Sequence, residues 1–438
     1  MGIITQIIQF LLSLSILVTL HELGHFTLAR IFNTRVEKFY LFFNPWFSLF
    51  KIKRGHTEYG IGWVPLGGYV KIAGMIDESM DTEQLSKPPE PWEYRSKPAW
   101  QRFLIISGGV IVNFLLGILI YTFILYTWGE HYLPTENAVY GVTCDPLAKE
   151  IGFEDGDKIL YVDGEQIESF LHIAPTIVID NAQTVTVERN NNLVDVKIDE
   201  SYIPQLLKTQ YLFFPRAPMI VSYIAEGSAA EQANMLPNDK LVAINGTKAT
   251  FLEEFKEVAQ KNLNKSITLT MERDGQNIDL AVNIPETGII GVGLKSPFEL
   301  LELKRNEFTF LQSIPAGIKK GANTISSYVK QLKLVFSPKT KAYESVGGFI
   351  AIGSIFPKYW DWQSFWELTA LLSIILAIMN MLPIPALDGG HMVFLIYEMV
   401  SGRKPSDKFM EFTQILGLLF ILALFIFANA NDVIKLFR

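Results

Sequence analysis

The sequence predicts an α-helical membrane protein with four transmembrane helices, split by a polar block that forms a pair of small α+β domains. Three observations carry that expectation. The chain of 438 residues is 49% hydrophobic, with a mean hydropathy of +0.23, too apolar for an ordinary soluble protein and too polar for an all-helical transporter. Four stretches, at about 4–31, 103–128, 365–382 and 409–427, approach the ~20 apolar residues that crossing a bilayer requires. Between the second and the third lie more than 200 residues of polar character, room for two domains.

The first span holds the pattern His21-Glu22-Leu23-Gly24-His25. Histidines four apart share one helix face and can grip one zinc ion, and Glu22 stands beside them to take a proton from water. Charged and metal-binding groups at membrane depth are costly, so they mark function. The chain has six histidines and two are here, whereas His56, His131 and His172 fall in segments expected outside the membrane. A basic flank and a small-residue cleavage site are both missing from the N-terminal stretch, which is therefore expected to stay as a helix rather than act as a signal peptide.

Lys and Arg near the spans set the orientation. The segment after the first span carries Arg30, Arg35 and Lys51, the approach to the second Arg95 and Arg102, and the loop between the third and fourth Arg403, Lys404 and Lys408. These segments share one side, expected to be cytoplasmic, which puts both termini and the polar block outside. The net charge of −7 contains no basic block of the kind that binds nucleic acid, and the single Cys144 excludes an intrachain disulfide.

Within the polar block, Asp145–Gly164 and Gly227–Gly246 align without gaps, 82 residues apart. Asp157-Lys158 matches Asp239-Lys240, and Val162-Asp163-Gly164 matches Ile244-Asn245-Gly246. Each copy reads as a small-residue helix start, a turn with Asp, and a short apolar strand closed by an Asp-Gly or Asn-Gly turn. The string resembles the PDZ domain, although Asn234 and Asn238 stand where glycines are usual. That resemblance implies peptide capture by strand addition, with a spacer or steric filter as the alternative. Beyond the repeat, 308–336 has an amphipathic helix pattern, suited to the membrane surface or to packing on the second copy.

A zinc hydrolase needs a third protein ligand and an open position for water. Asp388 is the candidate, in Asn380-Met381-Leu382-Pro383-Ile384-Pro385-Ala386-Leu387-Asp388-Gly389-Gly390-His391, where two prolines must break the third helix. His391 is an alternative ligand or an outer partner of the site.

Taken together, the apolar H-E-x-x-H helix, the inserted repeat and N-x-x-P-x-P-x-L-D-G-G resemble the site-2 protease family of intramembrane zinc metalloproteases over nearly the whole chain. The resemblance implies His21, His25 and Asp388 as Zn2+ ligands, Glu22 as general base, and Asn380 and Pro385 as shapers of the substrate site. Tyr59–Ile72, with Gly67-Gly68-Tyr69, resembles the family's membrane re-entrant β-hairpin, expected at about 50–72 and facing substrate. Gly109-Val110-Ile111-Val112-Asn113 resembles its G-x-x-x-N element, so Asn113 should face protein. Val110, and the run Val346-Gly347-Gly348-Phe349-Ile350, depart from the family's usual residues.

The expected organisation is a membrane domain over 1–128, PDZ-like domains over 129–208 and 209–295, a linker with the amphipathic helix over 296–345, and a second membrane segment over 346–438. The expected function is cleavage, in a bacterial inner membrane, of single-span proteins already trimmed outside, such as an anti-sigma factor or a remnant signal peptide. The expected partners are those substrates, the lipid bilayer, and peptide or protein ligands of the PDZ-like pair. The rival classes are a membrane-tethered PDZ adaptor, which would not need His21, Glu22 or His25, and a zinc transporter, which would line a path with polar groups.

Overall fold

The structure, a computed structural model, describes residues 2–65, 67–75, 88–209, 211–338, 340 and 342–437; Leu66, in the expected hairpin, lies outside them. The chain forms two compact units. One comprises Met1–Gly129, Glu307–Phe336 and Tyr343–Arg438, the other Glu130–Asn306 and Ser337–Ala342.

Among the described residues, four helices in the first unit are long and apolar enough to cross a membrane: Gly2–Ile31 (α1), Ala99–Thr127 (α2), Trp362–Met381 and Lys408–Lys435. Local chemistry sets their ends. Pro98 precedes α2 in extended conformation, and the side chains of Asp361 and Ser406 accept the Ser364 and Phe409 N–H groups that open the third and fourth helices. α1 and α2 cross closely, because a Cβ on Gly108 would lie 2.6 Å from the Gly24 carbonyl oxygen. Without a hydrophobic drive in lipid, such small-residue contacts are what let two helices associate.

Between α1 and α2 the chain builds a four-stranded sheet rather than a lone hairpin. Val36–Leu41 (β1), Phe50–Arg54 (β2), Thr57–Ile61 (β3) and Tyr69–Ile72 (β4) lie in the order β2-β3-β1-β4. β2 and β3 form the antiparallel hairpin around Gly55-His56, β1 pairs parallel with β3 and antiparallel with β4, and β4 is an edge. The apolar alternation of β1 is diluted by Glu37 and Lys38, which hides it in the sequence. Val36 and Ile72 join Ala29, Ile105 and Ile106 in one core, which fixes the sheet to α1 and α2.

The amphipathic helix spans Phe310–Val335 and packs against the other helices of this unit. Ser313, Gly317 and Gly321 are its buried positions, and a Cβ on Gly321 would meet Ile118 of α2 at 2.9 Å. Ile325, Tyr328 and Leu332 pack on Ile120, Tyr121 and Ile374. Small residues on its inner face let it lie against α2, a contact that an amphipathic pattern alone does not specify.

In the second unit the two copies fold alike. Pro146–Ile151 and Ala229–Gln232 are the helix starts, and Lys158–Val162 and Lys240–Ile244 the strands that follow. Asn234 and Asn238 adopt positive φ (54° and 73°), as Gly152 and Gly156 do in the first copy (117° and 98°), so the departures from glycine keep the sign of the turn. Each copy is tied by a buried aspartate: Arg189 grips Asp157 and the Gly152 carbonyl, while Arg273 grips Asp239 and the Asn234 carbonyl. The cores, around Val185 and Val187 in one and Leu269 and Met271 in the other, are separate.

Candidate metal centre

The HELGH turn lies two-thirds of the way along α1, and both imidazoles point inward, 7% exposed. Beyond Met381 the third helix stops because Pro383 cannot continue its hydrogen bonding. The chain turns through Leu382–Leu387 and resumes as a helix at Asp388–Ser401, a helix within the stretch expected to be a loop. Gly390 permits the turn: a Cβ there would lie 2.6 Å from the Ile384 carbonyl and 2.7 Å from Pro385 Cα. Asp388 therefore reaches α1 from the first turn of a helix seated on the proline break.

Three ligand atoms converge. His21 Nε2 lies 3.2 Å from His25 Nε2 and 3.2 Å from Asp388 Oδ2, and His25 Nε2 lies 3.4 Å from the same oxygen. A tetrahedral ion holding its ligands at about 2.0–2.1 Å separates them by about 3.3–3.4 Å. His25 Nδ1 donates to the Ile105 carbonyl at 2.9 Å, which leaves the Nε2 lone pair pointing at the other ligands. Asp388 Oδ2 is buried without a hydrogen-bond donor. Lone pairs crowded at this spacing repel unless a cation sits among them, so the donor set fits zinc. These three are the cluster with metal-ligating spacing among the described residues.

The surroundings are shaped to the same end. Gly109 of α2 faces both rings, since a Cβ there would lie 2.5 Å from His25 Nε2 and from His21 Cε1. Asn113, fully buried, sits 3.2 Å from His21 Nδ1. Asn380 Nδ2 stands 3.3 Å from His21 Nε2, at the edge of the ligand triangle. A Cβ on Gly68, which leads into β4, would sit 3.5 Å from Glu22 Cγ. The edge strand thus runs beside the acid.

Other expected residues stand further off. Gly67 packs on the Phe43 ring, and the Tyr69 side chain stacks on Tyr40 and Phe43 while donating to Asn44. Pro385 supports the break, with Gly417 of the last helix against its carbonyl. His391 belongs outside the ligand triangle; it lines a cavity of about 150 Å³ with Tyr94, Arg102 and Glu398. His56, His131 and His172 are exposed. The part of Gly109 was not evident in the sequence, where its one signal was the spacing to Asn113.

Comparison with known proteins gives the family. Residues 9–424 match the model of peptidase family M50. The regulator of sigma E protease of Haemophilus influenzae is 28% identical over 98% of this chain and 98% of its own length. The protease RseP of Yersinia pestis is 28% identical over the whole of both chains (100% of each). A relative from Neisseria meningitidis, whose name places it among the zinc metalloproteases, is 29% identical over 98% of this chain and 99% of its own length. The chain belongs to peptidase family M50 and is a membrane-embedded zinc metalloprotease.

Proposed function

We propose that His21, His25 and Asp388 hold the zinc ion of this protease and that Glu22 is its general base. The observation that carries this reading is the ligand triangle, with sides of 3.2, 3.2 and 3.4 Å. Bound there, zinc supplies a Lewis acid for the scissile carbonyl and lowers the pKa of water towards neutrality. Glu22 would accept a proton from the attacking water and return it to the leaving amine. Asn380 holds the substrate backbone by its amide, and Pro385 shapes the wall beside it.

The substrate is the membrane segment of a single-span protein, cut after its outer part has been trimmed; a regulator of the kind implied by the sigma E relatives and a remnant signal peptide both fit. A helix keeps its carbonyls in its own hydrogen bonds, so the segment must open before attack. β4, from Tyr69 to Ile72 and preceded by Gly67 and Gly68, is the outer strand of its sheet and lies beside Glu22, where the opened chain joins it by strand addition. We assign the sheet to a re-entrant position in the bilayer, with the exposed Trp46, Phe47 and Trp63 at its tip supporting that assignment. The basic loops put the catalytic cluster towards the cytoplasmic side of an inner membrane and the repeats outside.

The two repeats, read as PDZ-like domains, exclude substrates with bulky outer parts. Their edges differ. Phe213–Pro215 pairs on one side with Val142–Cys144 and ends on a proline without an N–H, whereas Val292–Leu294, pairing with Val221–Ile224, keeps all its donors. Strand addition by a peptide therefore falls to the second repeat.

The test is Glu22→Gln, purified in detergent and offered a single-span membrane peptide. Zinc should remain stoichiometric while cleavage disappears, and cells carrying the variant should accumulate the uncut membrane peptides. Wild-type cleavage by Glu22→Gln would remove the mechanism.

A further inference from the structure

We propose that Asn113 is a positioning residue that fixes His21 in its metal-binding tautomer. The proposal rests on the zinc reading above. Asn113 is fully buried in the middle of α2, where an amide in a membrane needs a partner. Its Nδ2 lies 3.2 Å from His21 Nδ1, and its Oδ1 is buried with no hydrogen-bond donor.

His21 Nε2 is turned to His25 and Asp388, so its lone pair belongs to the ligand triangle. A neutral imidazole with that lone pair free carries its proton on Nδ1. Nδ1–H then requires an acceptor, and the Asn113 side chain is what it faces. The two ends of a carboxamide have the same shape, so rotating the amide by half a turn brings Oδ1 to Nδ1–H at the same distance. That orientation gives the Asn113 oxygen a donor and the His21 proton an acceptor together.

The position of Asn113 is itself held. Its backbone carbonyl accepts the hydroxyl of Ser373, a fully buried residue of the third helix, at 2.7 Å. One turn earlier, Gly109 leaves room for the ring that Asn113 orients. The two histidines are thus oriented by different means: His25 by a backbone carbonyl, His21 by a side chain, and only the second can be altered by substitution.

Two variants and three measurements test this. Asn113→Asp keeps an acceptor, and Asn113→Leu keeps the branching at Cγ without one. Zinc release into a chelator should be about 10- to 100-fold faster for Asn113→Leu and within a few-fold of wild type for Asn113→Asp. The visible bands of the cobalt-substituted protein should change with Leu and persist with Asp. Wild-type zinc retention by Asn113→Leu overturns the proposal, and so does equal loss in both variants, which would mark a packing position. Should Asn113→Leu fail to fold, the ¹⁵N imidazole resonances of zinc-loaded wild type decide: a protonated Nδ1 on His21 is required, and a protonated Nε2 overturns it. Loss of cleavage in Glu22→Gln is a separate result, so the two readings fail independently.

Discussion

Replacing Gly109 by alanine sets helix propensity against metal geometry. Alanine inside a helix is favoured over glycine by about 1 kcal/mol, so propensity alone predicts a more stable α2. The structure predicts damage. The new Cβ would stand 2.5 Å from His25 Nε2, 2.5 Å from His21 Cε1 and 2.7 Å from His21 Nδ1, where contact of carbon with a ring atom needs about 3.5 Å. Both rings must move by about 1 Å, several times the ±0.2 Å or so that metal–ligand distances tolerate. A displacement of that size at reacting groups costs about 10²-fold in rate, and zinc should fall below one per chain. The assay pairs metal analysis of detergent-purified protein with cleavage of a membrane peptide. Gly353→Ala is the control, since its Cβ would meet only Phe10 at 3.9 Å. Stoichiometric zinc and wild-type cleavage in Gly109→Ala would refute the reasoning, because the glycine would then be helix filler.

Gly390→Ala should also lose zinc, by pushing the turn that carries Asp388 off the Ile384 carbonyl; metal analysis reads it, and the helical circular dichroism should hold. Arg273→Leu strands the fully buried Asp239 carboxylate, so the second repeat should lose about 3–5 kcal/mol, seen as faster hydrogen exchange over 240–283 in the full chain with the first repeat unchanged. Burial pushes the Cys144 thiol up to about 12, so at pH 8 its alkylation should be about 10³-fold slower in the folded protein than in denaturant. The folded state holds that proton more tightly than the unfolded one, so the stability of the first repeat should decline as the pH rises above the ordinary thiol range, and a Cys144→Ala variant should lack that decline.

Much of the site was legible because its residues are expensive where they stand. Histidines and a glutamate within an apolar run, and an aspartate just past two prolines, are conspicuous against lipid-facing sequence. The repeat was legible because its turns need particular residues, and the positive φ of Asn234 and Asn238 explains how the second copy keeps the pattern with fewer glycines. Three features were not legible. Val36–Leu41 is held in the sheet by partners on both sides, and its Glu37 and Lys38 break the alternation that would announce a strand. The helix Asp388–Ser401 follows so closely on the proline break that its apolar run merges with the third span. The amphipathic helix showed an apolar face but not its neighbour, which depends on the small residues Ser313, Gly317 and Gly321 meeting α2.

Glycine is the residue type whose meaning the structure changes most, and the neighbours Gly108 and Gly109 show why. Both look like interchangeable small residues in a transmembrane helix. Gly108 faces Gly24, and its missing side chain lets α1 and α2 approach until backbone meets backbone. Gly109, rotated by about 100° around the same helix, faces the imidazoles, and its missing side chain leaves the room they need. The close crossing is also what brings the Ile105 carbonyl within 2.9 Å of His25 Nδ1 and Asn113 within 3.2 Å of His21 Nδ1. Helix packing and ligand orientation are therefore one arrangement in this protein: any substitution that separates α1 from α2 should release zinc even where it touches none of the three proposed ligands.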